Sequence, residues 1–171
     1  MRGDREKQLE QEAIARTYQQ LVEARRQQRD GVVVTPCEVV DFQIRSTLEA
    51  VKQQYGRAPD DGIEWLDPFG GTGIYTARLL QLAPLPPERK RRLAANCAVV
   101  EIDREAAQMA ANNLAAVYEE ECGIKGFIHV VCADTFALSS DVWDLPCVMP
   151  FWAAQNSIAA RQKRMKGAAN E

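Results

Sequence analysis

Three glycines crowd into four positions at Gly70, Gly71 and Gly73, directly after Asp67-Pro68-Phe69 and just before an apolar run that starts at Ile74. Glycine supplies positive φ and close backbone approach without steric cost. Such a cluster between two apolar segments therefore predicts a strand, a tight turn and a helix in succession. Ile63 to Leu66 supplies the strand and Ile74 to Leu82 the helix. A unit of this kind buries its apolar surface in a parallel sheet with helices laid on its face. The alternation then repeats. A Pro-rich connection (Pro84, Pro86, Pro87) carries the basic cluster Arg89-Lys90-Arg91-Arg92, and a second strand runs from Cys97 to Ile102. An Ala-rich helix from Arg104 to about Glu121 stops before Gly123, and a third strand covers Phe127 to Ala133. The expectation is an α/β fold, a partial doubly wound parallel sheet.

Two helices precede this unit. Residues 4–30 read as one polar, nearly neutral helix with a narrow apolar stripe of Leu9, Ile14, Tyr18, Leu21 and Val22, expected to pack loosely on the domain or on a neighbour. Gly31 to Val34 is a short extended segment. Thr35-Pro36-Cys37-Glu38 has the form of a capping box, with Thr35 at N-cap, Pro36 at N1 and Glu38 at N3. Val39, Val40, Ile44, Leu48 and Val51 follow on one face, and the helix is expected to end near Gly56. The domain boundaries follow: 1–30 a polar helix, 31–140 the ligand-binding unit, 141–171 a partly disordered tail.

Composition narrows the setting. With 171 residues, 46% hydrophobic and 26% charged, the chain is sized for one globular domain. No apolar run approaches the ~18 residues of a membrane span, and the N-terminus has no apolar signal region. Five cysteines at Cys37, Cys97, Cys122, Cys132 and Cys147 lack CxxC spacing, which argues for a reducing, cytoplasmic setting and against a disulfide framework or zinc site. The single histidine, His129, falls inside the third strand as a core or edge residue, and no metal site is expected. A net charge of −3 gives no global pull toward nucleic acid, although the clusters Arg89–Arg92 and Arg161–Lys166 could grip phosphates locally.

The candidate site gathers at the carboxyl ends of the three strands, where parallel sheets bind ligands. The glycine turn is not a dinucleotide fingerprint, because the third glycine is missing at its spacing, and not a P-loop, because no Lys-Ser or Lys-Thr follows. Asp67 closes the first strand and can accept from a cationic group. Glu101 closes the second and can take both hydroxyls of a ribose; Asp103 is assigned to the N-cap of the next helix instead. Asp134 closes the third, where an acceptor meets an adenine amino group or simply begins a turn. Together they describe a site for an adenosine with an amino-acid tail, S-adenosylmethionine.

Asp-Pro-Phe-x-Gly-Thr-Gly at Asp67 to Gly73 resembles the cofactor loop of DNA amino-methyltransferases, in particular the adenine-N6 kind. Val34-Thr35-Pro36, with Glu38-Val39-Val40-Asp41-Phe42 and Ile44-Arg45-Ser46, is similar to the helix before that loop in the methylase region of large restriction–modification polypeptides that fuse helicase and methylase. The resemblance covers about Gly31 to Phe136. It implies a Rossmann-like methyltransferase fold. It also implies that Thr35, Asp67, Phe69, Gly71, Thr72 and Gly73 hold the methionine end, Glu101 the ribose and Asp134 the adenine.

The same family needs Asn or Asp followed by Pro-Pro and an aromatic residue after its fourth strand, to accept from the target amino group and stack on a flipped base. No such motif occurs here. Asp144-Leu145-Pro146-Cys147 and Val148-Met149-Pro150-Phe151 are the nearest remnants, and neither satisfies the chemistry. The expectation is therefore the cofactor half of a DNA adenine-N6 methyltransferase, truncated before its catalytic loop and inactive alone, with no catalytic residue assigned. Its expected partners are DNA, once completed by the missing regions, and a completing subunit or a second copy, but no membrane. A non-catalytic cofactor-binding remnant is the alternative, and an RNA or small-molecule methyltransferase a further one.

Overall fold

The computed structural model describes residues 2–22 and 34–138. Helix α1 spans Asp4–Leu21, α2 Cys37–Tyr55, β1 Trp65–Asp67, α3 Ile74–Leu82, α4 Pro87–Ala95, β2 Cys97–Glu101, α5 Arg104–Cys122 and β3 His129–Cys132, followed by a 3-10 turn at Thr135–Ala137. The expectations for 23–33, and for the tail with its Pro-Cys and Pro-Phe remnants and Arg161–Lys166, lie outside the described residues.

The three strands form a parallel sheet in the order β1-β2-β3, the α/β arrangement that the alternation implies. Asp67 pairs with Val99 and Val99 with Val130, while Glu101 pairs with Cys132. Side chains alternate between sheet faces, so Asp67, Val99 and Val130 share one face and Glu101 points to the same side two residues on. That face carries the core. Val99 and Val130 pack with Val40 and Ile44 of α2, Ala77 and Leu80 of α3, and Ala110, Leu114 and Val117 of α5. Leu114 and Val99 are wholly buried.

Helix boundaries follow the local chemistry at most ends. Gly56 and Gly123 close α2 and α5 in the left-handed conformation, at φ 63° and 70°, as C-terminal glycines do. Asp103 caps α5, its carboxylate accepting from the Ala106 N–H at 2.8 Å.

Three elements depart from the sequence reading. The capping box before α2 is not formed: the helix begins at Cys37, Pro36 is its N-cap, and no side chain caps it. The Pro36 carbonyl accepts from both Val39 and Val40 N–H, which shifts the first turn by one residue and leaves Thr35 outside the helix. The Pro-rich connection is itself the helix α4, because Pro87 at its first position brings a φ already suited to a helix. Its basic cluster is largely spent on internal ion pairs. Arg89 and Arg92 both clasp Asp60, whose side chain is sealed from solvent, and Lys90 pairs with buried Glu121.

Helix α1 differs most. It is not loosely packed, and the face it buries is mixed: Lys7 and Gln11 are buried beside Ala15 and the stripe residues Tyr18 and Val22, while Leu9 and Leu21 of the expected stripe stand exposed. The partner surface selects that face. Lys7 pairs with Glu121 of α5, and Gln8 Nε2 donates to Asp41 of α2 at 2.7 Å. Asp4 accepts from Arg78 of α3 at 2.7 Å, an arginine with no exposed side-chain area that also meets Asp41.

Candidate cofactor site at the carboxyl edge of the sheet

The loop from Asp67 to Gly73 is built by four anchors. The Gly70 N–H donates to the Val100 carbonyl at 2.9 Å, prolonging the β1-β2 ladder past the strand. Only glycine fits there, because a Cβ would lie 2.1 Å from Val99 Cγ1. The Gly73 N–H then donates to the Gly70 carbonyl at 2.7 Å, closing a β-turn with Gly71 at φ 52°. Glu101 Oε2 accepts from the Gly71 N–H at 2.7 Å, and Asn113 Nδ2 donates to the Thr72 carbonyl at 3.0 Å. Gly73, at φ 82°, is the N-cap of α3, and no side chain caps that helix.

Two carboxylates end up together at this edge, and among the described residues no basic side chain is bonded to either. Asp67 Oδ1 accepts a long 3.4 Å hydrogen bond from the Phe69 N–H, while Asp67 Oδ2 is buried without a hydrogen-bond partner. Burial, with a smaller push from the Glu101 charge, raises the Asp67 carboxyl from its ordinary 3.8 to about 6. Burial also pushes Glu101 above the usual carboxylate range, although its Oε1 accepts from the Asp103 N–H at 2.8 Å. An orphaned buried carboxylate oxygen calls for a donor, and none comes from the described residues. A site of this charge favours a cation and repels a pyrophosphate.

The structure brings Asp67, Phe69, Gly71, Thr72, Gly73 and Glu101 into one hydrogen-bonded loop. Thr72 is buried and contributes through its carbonyl. Asp134 joins from β3. Its Oδ1 accepts from the Phe136 N–H at 3.0 Å, so the residue does begin a turn, and Thr135 Oγ1 in that turn donates to the Pro68 carbonyl. The exposed rings of Phe69 and Phe136 meet above this tie, with centroids 5.7 Å apart. Thr35 is half-buried ahead of α2, and among the described residues no hydrogen bond joins it to the loop. His129 is buried in β3, and burial alone lowers its pKa.

Sequence reasoning counted Gly70 in the glycine cluster but gave it no site role, since it stands at the unspecified position of the loop motif, and it passed over Asn113, an amide on an Ala-rich helix. The first was legible as a third glycine; the second gave no signal. Among the described residues no His, Cys, Asp and Glu group could hold a metal ion, and no helix is long and apolar enough to cross a membrane.

No protein-family model and no curated protein matches the chain. Solved structures do. One is the DrdV–DNA complex, at 25% identity and a TM-score of 0.66 over 79% of this chain and 13% of that one. Another is the ATP-dependent Type ISP restriction–modification enzyme LlaBIII bound to DNA, at 27% identity and a TM-score of 0.55 over 64% of this chain and 9% of that one. A nuclease-deletion mutant of the Type ISP restriction–modification enzyme LlaGI, with a DNA substrate mimic, shares the fold at 24% identity and a TM-score of 0.58 over 77% of this chain and 12% of that one. Two of these three are restriction–modification enzymes, and the chain spans only 9% to 13% of the length of each.

Proposed function

We propose that this chain is the S-adenosylmethionine-binding portion of a DNA adenine-N6 methyltransferase belonging to a restriction–modification system, and that it is inactive by itself. The observation that carries the reading is Asp67 Oδ2, buried and unpartnered at the sheet edge beside Glu101 and an open glycine turn. S-adenosylmethionine is a net cation with an ammonium group, and Asp67 would hold that group. The uncapped N-terminus of α3 would offer its first N–H groups to the ligand carboxylate, with Thr35 beside it by resemblance. Glu101 would take the ribose hydroxyls and Asp134 the adenine amino group. Phe69 would flank the methionine end. Gly71 leaves open space where a Cβ would stand. When bound, the cofactor supplies a methyl group on a positively charged sulfur. The restriction–modification setting rests on the likeness to the two Type ISP enzymes, and DNA as the partner rests on the DNA-bound neighbours.

The missing Asn/Asp-Pro-Pro-aromatic motif favours a second reading for these 171 residues, a module that binds the cofactor without transferring its methyl group. Calorimetric titration of S-adenosylmethionine into the folded chain tests both readings. Saturable one-site binding is expected, lost in Asp67→Ala and absent for a dinucleotide of like size. A folded chain that binds no S-adenosylmethionine would defeat the proposal. Methyl transfer to DNA by this chain alone would defeat the second reading and the inactivity assigned in the first.

A further inference from the structure

We propose that helix α1 is a positioning element for the glycine loop, acting through a buried amide relay from Gln11 to Asn113 to the Thr72 carbonyl. Gln11 and Asn113 are 1% and 6% exposed and bind each other reciprocally: Gln11 Nε2 donates to Asn113 Oδ1 at 2.8 Å, and Asn113 Nδ2 donates to Gln11 Oε1 at 2.8 Å. The same Asn113 nitrogen donates its second hydrogen to the Thr72 carbonyl at 3.0 Å. A primary amide has two N–H groups, and here one faces α1 and the other faces the loop. The pairing with Gln11 fixes the amide plane, and the amide plane fixes the peptide between Thr72 and Gly73.

Among the described residues, the other anchor of that peptide lies inside the loop itself, the Gly73 N–H donating to the Gly70 carbonyl at 2.7 Å. Gly73 is a left-handed glycine seated against Leu114 and Ala110, which flank Asn113 on α5, and glycine offers no side-chain anchor of its own. The choice of residues argues in the same direction. An apolar pair at positions 11 and 113 would stabilise the α1–α5 contact at least as well, but would leave the Thr72 carbonyl buried without a donor. The N-terminal end of α1 also reaches α3. Asp4 holds Arg78 of α3, the helix that the loop opens. Whatever displaces α1 therefore changes the loop, and ligand affinity changes with it.

The ligand part of this inference rests on the proposed S-adenosylmethionine site; the loop part does not. The test is amide hydrogen exchange of the ligand-free 171-residue chain, together with S-adenosylmethionine affinity. In Gln11→Met, of similar length but with no polar partner for Asn113, the Gly73 N–H should exchange about five- to tenfold faster, the effect of one lost hydrogen bond. Affinity should fall by a similar factor. Asn113→Asp can still accept from Gln11 but cannot donate to Thr72. It should reproduce the loop effect while the amides of α1 keep their protection. Arg16→Ala, on the exposed side of α1, should change neither. Unchanged Gly73 exchange in Asn113→Asp would overturn the proposal, as would Gln11→Met lowering Tm with exchange at Gly73 and affinity both intact. A wild-type chain that binds no S-adenosylmethionine but shows the exchange effects would remove the proposed cofactor and leave the relay standing.

Discussion

Replacing Asp67 by Asn should stabilise the ligand-free chain at pH 8 and abolish cofactor binding. The Asp67 carboxyl sits at about 6 against an ordinary 3.8, with burial as the main cause. The folded state thus holds this proton more tightly than the unfolded state does. The stability it contributes is fully present below about 3.8 and is lost as pH rises through about 6. At about 1.36 kcal/mol per pH unit, the displacement corresponds to about 3 kcal/mol by pH 8. Asparagine keeps an acceptor for the Phe69 N–H and carries no charge, but leaves a buried N–H2 in place of the orphaned Oδ2, at a cost of about 1–2 kcal/mol. The net expectation is a gain of about 1–2 kcal/mol at pH 8 that shrinks as pH falls and becomes a loss of about 1–2 kcal/mol below pH 4, where the wild-type carboxyl is neutral and only the cost of the buried N–H2 is left. Urea unfolding followed by far-UV circular dichroism reads this as a higher midpoint at pH 8 with an unchanged slope. A variant less stable than wild type at pH 8, or a stability difference that does not vary with pH, would refute the reasoning.

Other consequences follow from single contacts. Gly70→Ala should destabilise the fold by about 1–3 kcal/mol, because its Cβ lands 2.1 Å from Val99 Cγ1. Val99→Ala removes that atom and leaves the next approach at 3.5 Å, so the double variant should unfold at nearly the same urea concentration as Val99→Ala alone; simple additivity would contradict this. Asp103→Ala should cost about 1 kcal/mol through its lost cap on α5, with cofactor affinity little changed because the proposed site gives the ribose to Glu101 and leaves Asp103 to the helix. Changing both Arg89 and Arg92 to Ala should lower Tm, since the sealed Asp60 carboxylate loses both partners. Asp60 is held below the usual range chiefly by Arg89, so the stability it contributes exists above its unfolded pKa and fades as pH falls; the double variant should lose that acid limb in a thermal-melt series.

The loop was legible because glycines cluster where the backbone changes element, and Asp67 and Glu101 close their strands as the sequence suggests, whereas Asp134 follows β3 by two residues and begins a turn. Ile74–Leu82 matches its expected bounds for the same reason: glycines precede it and a proline-rich segment follows. Helix α4 was hidden because three prolines read as a connection, whereas Pro87 at a first helical position opens a helix. The buried face of α1 was legible at Tyr18 and Val22 but not at Lys7 and Gln11, for a different reason. Hydrophobic periodicity ranks faces by their own composition, but Lys7 and Gln11 are buried by what opposes them, Glu121 and Asn113, over a hundred residues away. Thr35 shows the limit of a motif. The Thr-x-x-Glu spacing is present, yet Pro36 takes the N-cap and its carbonyl the first helical hydrogen bonds.

The central claim is that Asp67 waits for a cationic group supplied by S-adenosylmethionine. The carboxyl carbon shift of Asp67, followed by NMR through a pH titration with and without saturating S-adenosylmethionine, addresses it directly. The account predicts a midpoint near 6 in the free chain that falls in the complex, with protons released on binding at pH 6. A midpoint that stays near 6 when the ligand is bound would contradict the account, because the cation would then lie elsewhere.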